Sequence, residues 1–435
     1  MGHSFKESLK YGLRSYPLIR KYVREIEGMY AMRSADLKKR NEERFLAILH
    51  HAYHQSKFYR RLYDQAHVDI SQIKSMEDMH QLPVVTKDMV KQYGSEMTTC
   101  PHWMLIRNHT SGTTGSQLNV WEDWESIWRE QASLFCYRKM CGFQYGQDTL
   151  ASLRGTLDKK DLSLWVQASR TLFLSSYHLR PDTATRYVDA ILQRKPKAIE
   201  GFPSSLYALA CNIEEQGLNV EIPICFTSSE NMLEWMRRKI ETVFHTIVYD
   251  HYGLTERTIQ LFESTDHTGY FESPGYSINE YHDDCTITTS LINKSFPLIR
   301  YSISDVMELK DKFAIQPDAP ATTPTIQAVK GRAMLFIKGK DGTLYSDSAL
   351  TFILKDCESA KYTQFVQHEN GLVDMNIVTF GGHLPPSDRE RVMELLDQTI
   401  GLDNIDLRIN EIPETELIYT SRGKFSLVVN KKANP

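Results

Sequence analysis

The stretch HTSGTTGS, His109 to Ser116, brings glycines, hydroxyl side chains and a histidine together with almost nothing apolar. Glycine is costly inside a helix or strand, and Ser and Thr draw backbone hydrogen bonds away from regular ladders, so the stretch reads as a loop. In such a loop successive backbone N–H groups and hydroxyls can converge on a phosphate. The G-x-x-x-x-G-K-[ST] form is absent, which excludes a Walker-type P-loop. On its own the stretch is therefore either a phosphate cradle or a surface turn. "HHAYHQS" sets His50 and His54 at metal-ligand spacing, but no acidic third ligand stands nearby in sequence, so a surface or half-buried helix face is the preferred reading. The 7 cysteines include no C-x-x-C, so neither a zinc knuckle nor a redox dithiol is indicated, and reduced thiols are expected.

These residues need elements to hold them. A chain of 435 residues exceeds what one core usually fills, so two or more domains are expected. Composition is 41% hydrophobic and 24% charged, which supplies ample core. A net charge of -4 points to neither nucleic acid nor an anionic membrane. Basic residues near the start (Arg20, Lys21, Arg24, Lys38, Lys39, Arg40) alternate with Glu25, Glu27, Asp36 and Glu42, the pattern of a solvated helix face. There is no apolar signal-peptide core and no apolar run near the ~20 residues that span a bilayer, so a soluble cytoplasmic protein is expected.

Residues 1 to about 65 carry apolar residues at helical spacing with few Gly or Pro. From about 100 to 310 strand-like runs alternate with helical ones. "PKAIEGF", "IPICFTSSE" and "HTIVYDHYG" follow helical segments over Thr183–Arg194, Leu206–Gln216 and Met232–Phe244. That alternation predicts an α/β region with parallel strands, whose ligands sit off the strands' carboxyl ends. "GFPSS", "TSSE" and "DHYGLTE" fall there. The Pro-rich stretch Gln316–Thr325 reads as a surface loop or linker, and the residues after Lys330–Arg332 as a second, small α/β domain.

"TSGTTGS", "YDHYGLTE", "PLIRYSISD", "GR" and a late "SRGK" occur in this order at wide spacing. The series resembles the adenylate-forming ligases, and within them the phenylacetate–CoA ligase family and its capsular-polysaccharide-biosynthesis relatives. "HAYHQSKFYRRLYD" followed by "MHQLPVVTKDMV", then "GFPSSLYALA" and "TSSENMLEWMRRKIE", are similar to that family as well, so the resemblance spans nearly the whole chain. It implies a large N-terminal adenylate-forming α/β domain of parallel-strand βα units over residues 1–331. A small mobile C-terminal α+β lid would follow over residues 332–435.

The resemblance also implies ATP-dependent activation of a carboxylic acid as an acyl adenylate, with release of pyrophosphate and then transfer to a thiol such as CoA. Charge builds on phosphoryl oxygens in that reaction, so donors and cations must be prearranged there. By resemblance Ser111, Gly112, Thr113, Thr114 and Gly115 would cradle the β- and γ-phosphates, with Thr255 contacting phosphate. Glu256 would hold Mg²⁺ and Tyr252 would stack on adenine, with Gly253, Ser229 and Glu230 also at the nucleotide. Asp305 would accept the ribose hydroxyls, Arg332 would add a donor to the ribose, and Lys424 would bridge carboxylate and α-phosphate. Phe202, Pro203, Ser204 and Tyr249 would line the acyl pocket. Tyr137, Phe143 and the Trp121–Trp128 segment offer further apolar lining or simply core.

The chain departs from the family pattern in places. Ser116 and Gln117 stand where relatives usually have Lys-Pro, Ser304 precedes Asp305 where Gly is usual, and Ala333–Met334 replace an acidic hinge pair. Only Cys285 lies in the region where some relatives carry a cysteine zinc site, so no zinc is expected. CoA, a carrier-protein thiol and an amine, for example on an amino sugar, remain open as acceptors. A non-catalytic nucleotide-binding relative is the alternative from another class, and a homodimer is left open.

Overall fold

The structure is a computed structural model that describes residues 16–109, 118–154, 157, 161–176, 178–179, 181–310, 317–330, 336–346, 350, 359–379, 382–418 and 427–431. The first described elements are helical: α1 (Tyr16–Tyr30), α2 (Ser34–Gln55), α3 (Lys57–Gln65) and α4 (Lys87–Met97). Their starts are written in the sequence. Ser56 caps α3 by accepting from the Tyr59 amide, and Thr86 caps α4 by accepting from the Met89 amide. A hairpin of β1 (Ile106–His109) and β2 (Asn119–Glu122) brackets residues 110–117, and α5 (Trp124–Met140) follows.

The main sheet then begins with β3 (Leu150–Arg154), β4 (Ser163–Val166) and β5 (Thr171–Ser175). It continues through α6 (Ala184–Arg194), β6 (Ala198–Gly201), α7 (Pro203–Glu215), β7 (Ile224–Ser228), α8 (Glu234–Phe244) and β8 (Ile247–Gly253). Strands β9 (Gln260–Glu263) and β10 (Tyr270–Glu272) extend it. A separate three-stranded sheet holds β11 (Ser277–Tyr281), β12 (Thr286–Ser290) and β13 (Tyr301–Ile303), before β14 (Val306–Leu309) and β15 (Ile326–Lys330) rejoin the main sheet. The main sheet has ten strands in the order β14-β15-β10-β9-β8-β7-β6-β3-β5-β4. Strands β5, β3, β6, β7 and β8 run parallel. Strand β7, ICFTS, is buried at every position, as expected of a parallel strand covered on both faces.

The expected βα alternation is present, with the three helix starts shifted by one to three residues. Helix α7 starts at Pro203 rather than Leu206, because proline at the first helical position has its φ preset and no N–H to leave unbonded. The Pro-rich stretch does not act as a linker where it is described. The Ser34 amide donates to the carbonyl of Ala319, the Ala321 amide donates to that of Met32, and Arg33 pairs with Asp318. Residues 317–325 are thus pinned to the start of α2 and lead straight into β15.

The last elements are β16 (Phe336–Lys338), β17 (Leu344–Ser346), β18 (Ala360–Glu369), β19 (Leu372–Thr379), α9 (Pro386–Thr399), β20 (Asp406–Glu411) and β21 (Val428–Asn430). Four of them form a sheet in the order β20-β19-β18-β21. Phe365, Val373, Met375 and Ile377 of that sheet pack with Val392, Leu395 and Leu396 of α9 in a core of their own. Among the described residues no helix is long and apolar enough to cross a membrane.

Candidate active site

Side chains alternate along β8, so Tyr252 and Tyr249 leave opposite faces of the sheet. The Tyr252 hydroxyl donates to Oδ2 of Asp305 at 2.7 Å. Asp305 sits in the turn from β13 to β14, where its backbone carbonyl accepts from Thr286 Oγ1 at 2.9 Å. Burial, with Asp305 as the second cause, holds the Tyr252 phenol well above its ordinary pKa, so it stays a hydrogen-bond donor.

Glu256 lies just beyond β8 and accepts from the Tyr301 hydroxyl at 3.4 Å. Desolvation raises its pKa and the charge of Asp305 adds to this, while the Lys87 ammonium and the Tyr301 bond oppose it. Lys87 reaches this point through a local cap and a distant strand bridge. Thr86 caps α4 and makes Lys87 its first residue, and Val85 forms a parallel bridge with Tyr301. The Val85 amide donates to the Arg300 carbonyl and the Ser302 amide to the Val85 carbonyl, each at 2.9 Å. Arg300 is itself clamped by Glu280 at 2.8 Å.

A half-desolvated carboxylate beside a second one suits a hard divalent cation. Among the described residues no group of three or more His, Cys, Asp or Glu side chains could hold a metal. Glu256 alone would therefore need substrate oxygens and water to complete a shell, which is how Mg²⁺ is usually held at nucleotide phosphates.

Arg257 follows Glu256 with φ of 55°, left-handed for a non-glycine residue. Its Nε donates to Glu122 Oε2 at 2.7 Å, and it also contacts Glu130. This buried pair ties the turn after β8 to β2, the strand that follows residues 110–117.

The other expected residues divide into two groups. Ser229 is exposed at the end of β7 with φ of 71°, and Glu230 accepts from the Ser204 amide at 2.9 Å and from its hydroxyl at 3.0 Å. Glu230 thus caps α7, whose first residue is Pro203, and Phe202 is the residue preceding that helix. Tyr249 is 8% exposed and stacks on His267, packing with Tyr137, Phe143, Phe226 and Phe262. Tyr137 and Phe143 are core, and Tyr137 donates to the backbone carbonyl of Glu263 at 2.9 Å. Gly253, the last residue of β8, and Thr255, in the turn beyond it, are exposed. Trp121 stacks on His102 with ring centres 4.4 Å apart. Ser111, Gly112, Thr113, Thr114, Gly115, Arg332, Ala333, Met334 and Lys424 lie outside the described residues.

Compared with known proteins, the chain matches no family model. Protein CapK of Staphylococcus aureus is 22% identical over 350 residues, covering 77% of this chain and 76% of that protein. Phenylacetate-coenzyme A ligase of Escherichia coli (strain K12) is 23% identical over 337 residues, covering 70% of this chain and 73% of the relative. Among solved structures, 2-hydroxyisobutyryl-CoA ligase with 2-HIB-AMP and CoA in the thioesterification state superposes with a TM-score of 0.62 at 18% identity, over 92% of this chain and 91% of that one. The same ligase in a postadenylation state gives 0.57 at 18% identity, over 92% and 91%. The chain thus has the fold of the adenylate-forming ligases and is similar in sequence to the two relatives named. In this adenylate-forming ligase fold, the wide spacing of "YGLTE" and "SISD" becomes a single contact between Tyr252 and Asp305.

Sequence reasoning missed Lys87 and Arg257. "VVTKDMV" drew notice only as part of the N-terminal resemblance, although Thr followed by Lys at a helix start is a legible cap. No local signal could pair Arg257 with Glu122, 135 residues away.

Proposed function

We propose that the protein activates a carboxylic acid with ATP and then passes the acyl group to CoA. A carboxylate oxygen attacks the α-phosphorus, the bond to the bridging oxygen of pyrophosphate breaks, and pyrophosphate leaves. In the second half the thiolate of CoA attacks the acyl carbon of the mixed anhydride and AMP leaves with the bonding pair. The observation that carries this reading is the 2.7 Å bond between Tyr252 and Asp305 beside Glu256. A carboxylate held by a phenol can accept hydrogen bonds from both ribose hydroxyls. Tyr252 contributes the ring beside the base, and Glu256 takes Mg²⁺, which would neutralise phosphate charge. Ser111, Gly112, Thr113, Thr114 and Gly115 act on the phosphates, Arg332 on the ribose, and Lys424 between the reacting carboxylate and the α-phosphate. The relatives' names support CoA as acceptor, since both a curated relative and a structural neighbour are CoA ligases.

The test is ATP–pyrophosphate exchange across a panel of carboxylic acids, followed by single-turnover discharge of the adenylate with CoA and with amines. Acid-dependent exchange and rapid discharge by CoA are the expected results. Absence of exchange with every acid, despite ATP binding, would leave a non-catalytic nucleotide-binding relative. Discharge by amines but not by CoA would move the activity to amide formation.

A further inference from the structure

The carboxyl ends of four adjacent parallel strands carry a polar cluster that the nucleotide reading does not use. Leu153, Gly201, Thr227 and Asp250 form one rung across β3, β6, β7 and β8. The next residues are Arg154, Phe202, Ser228 and His251, which share the opposite face with Ser152 and Glu200 of the rung before. Arg154 Nη2 donates to Ser228 Oγ at 3.1 Å, and its guanidinium lies 5.5 Å from the centre of the Phe202 ring. Glu200 accepts from Ser152 at 2.7 Å and pairs with Arg138 at 2.5 Å, leaving Arg154 Nε 3.8 Å from its other oxygen.

Two guanidiniums therefore face one carboxylate, and that carboxylate belongs mainly to Arg138. Arg154 Nε and His251 Nδ1 are both sealed from solvent and lack a hydrogen-bond partner among the described residues. Desolvation, then Arg138 and Arg154, push the His251 pKa down to about 3, so the imidazole is neutral and can turn either an N–H or a lone pair to a ligand. The Arg154 side chain is 30% exposed, so its charge is open to an incoming anion, and the two sealed nitrogens are costly unless a ligand completes them. His251 precedes Tyr252 at the carboxyl end of β8 but leaves the opposite face of the sheet, the face of Tyr249. The cluster includes Phe202, so Phe202 and Tyr249, both expected to line the acyl pocket, share its side.

We propose that the acid activated by this protein carries a second anionic group, held by the guanidinium of Arg154 and by Nδ1 of His251 at the carboxyl ends of β3 and β8. This rests on the carboxylate-activating reading above. It makes Arg154 a specificity-determining residue and the substrate a dicarboxylic or otherwise dianionic acid.

The experiment compares acids of matched skeleton in pyrophosphate exchange with the full chain: butyrate, 4-hydroxybutyrate and succinate, hexanoate and adipate, phenylacetate and 4-carboxyphenylacetate. For at least one skeleton the dianion should exceed the monoanion by about 10- to 100-fold in kcat/KM, and the hydroxy acid should not replace it. Arg154→Met should collapse that ratio toward unity through KM, while Arg154→Lys, which keeps the charge, should retain part of it. A thermal melt checks that both variants fold. Equal use of both acids by the wild type, or a parallel loss for both acids in Arg154→Met, overturns the proposal. If no acid of either kind drives exchange, the ligase reading fails separately. Calorimetric titration of the same dianions into wild type and Arg154→Met then reads the subsite directly, and absent or equal binding overturns it.

Discussion

Replacing Tyr252 by Phe deletes one hydroxyl and keeps the ring, which isolates the contact with Asp305. A hydrogen bond to a charged group contributes about 1.5–3 kcal/mol in place. Asp305 is half-buried, so water recovers part of that in the variant, and we expect about 1 kcal/mol to reach the nucleotide. That is about fivefold in ATP affinity. Asp305→Ala removes the ribose acceptor itself and should cost about 2–3 kcal/mol, roughly 30- to 150-fold in Kd, with little change in kcat once ATP is saturating. The two residues form one unit at 2.7 Å, so their effects should not add. The double variant should bind ATP no more weakly than Asp305→Ala alone, giving a coupling of about 1 kcal/mol. Calorimetric titration of the four proteins with ATP measures this. Additive losses would refute the reasoning, because Tyr252 would then act on the nucleotide independently of Asp305.

Glu256→Gln should lower turnover and raise the Mg²⁺ concentration needed for half-maximal exchange. Burial raises the Glu256 pKa, so wild-type Mg²⁺ affinity should fall away on acidification at a higher pH than an ordinary carboxylate would give, and the variant should lose that limb. Lys424→Ala should reduce adenylation by about 10²–10³ while ATP binding and the melting temperature hold, because a charge needed only at the reacting centre is lost. Glu200→Gln should flatten the acid limb of stability. Desolvation acts against ionisation, but Arg138 and then Arg154 outweigh it and bring the Glu200 pKa down to about 2. A lowered folded pKa gives stability that is present above the unfolded value and lost as pH falls through the folded one. Denaturant melts from pH 5 toward about 2 should therefore steepen in wild type more than in the variant.

Much of this protein follows from short-range pattern. The βα alternation over residues 183–253 is legible because burial imposes one period on helices and another on strands, and because Gly, Ser and Thr interrupt both. The motif residues Tyr252, Glu256 and Asp305 stand out only through the ordered series of motifs and the family it resembles, since each alone reads as an ordinary core or solvated residue. Their mutual geometry is not local. Tyr252 meets Asp305 across 53 residues, and Lys87 faces Glu256 only because Val85 bridges to Tyr301 on a separate sheet. The face that each residue takes was equally hidden: Tyr249 and Tyr252 look alike in sequence, yet the two-residue strand period puts one in the aromatic core and the other against Asp305. Arg154, Glu200, Ser228 and His251 come from four different strands, and only the sheet's register lines them up. Composition and spacing decide which residues can do chemistry, because those depend on neighbours along the chain. Which of them meet, and which are left with an unmet charge, depends on strand pairing between distant segments, and that was decided by the tertiary structure alone.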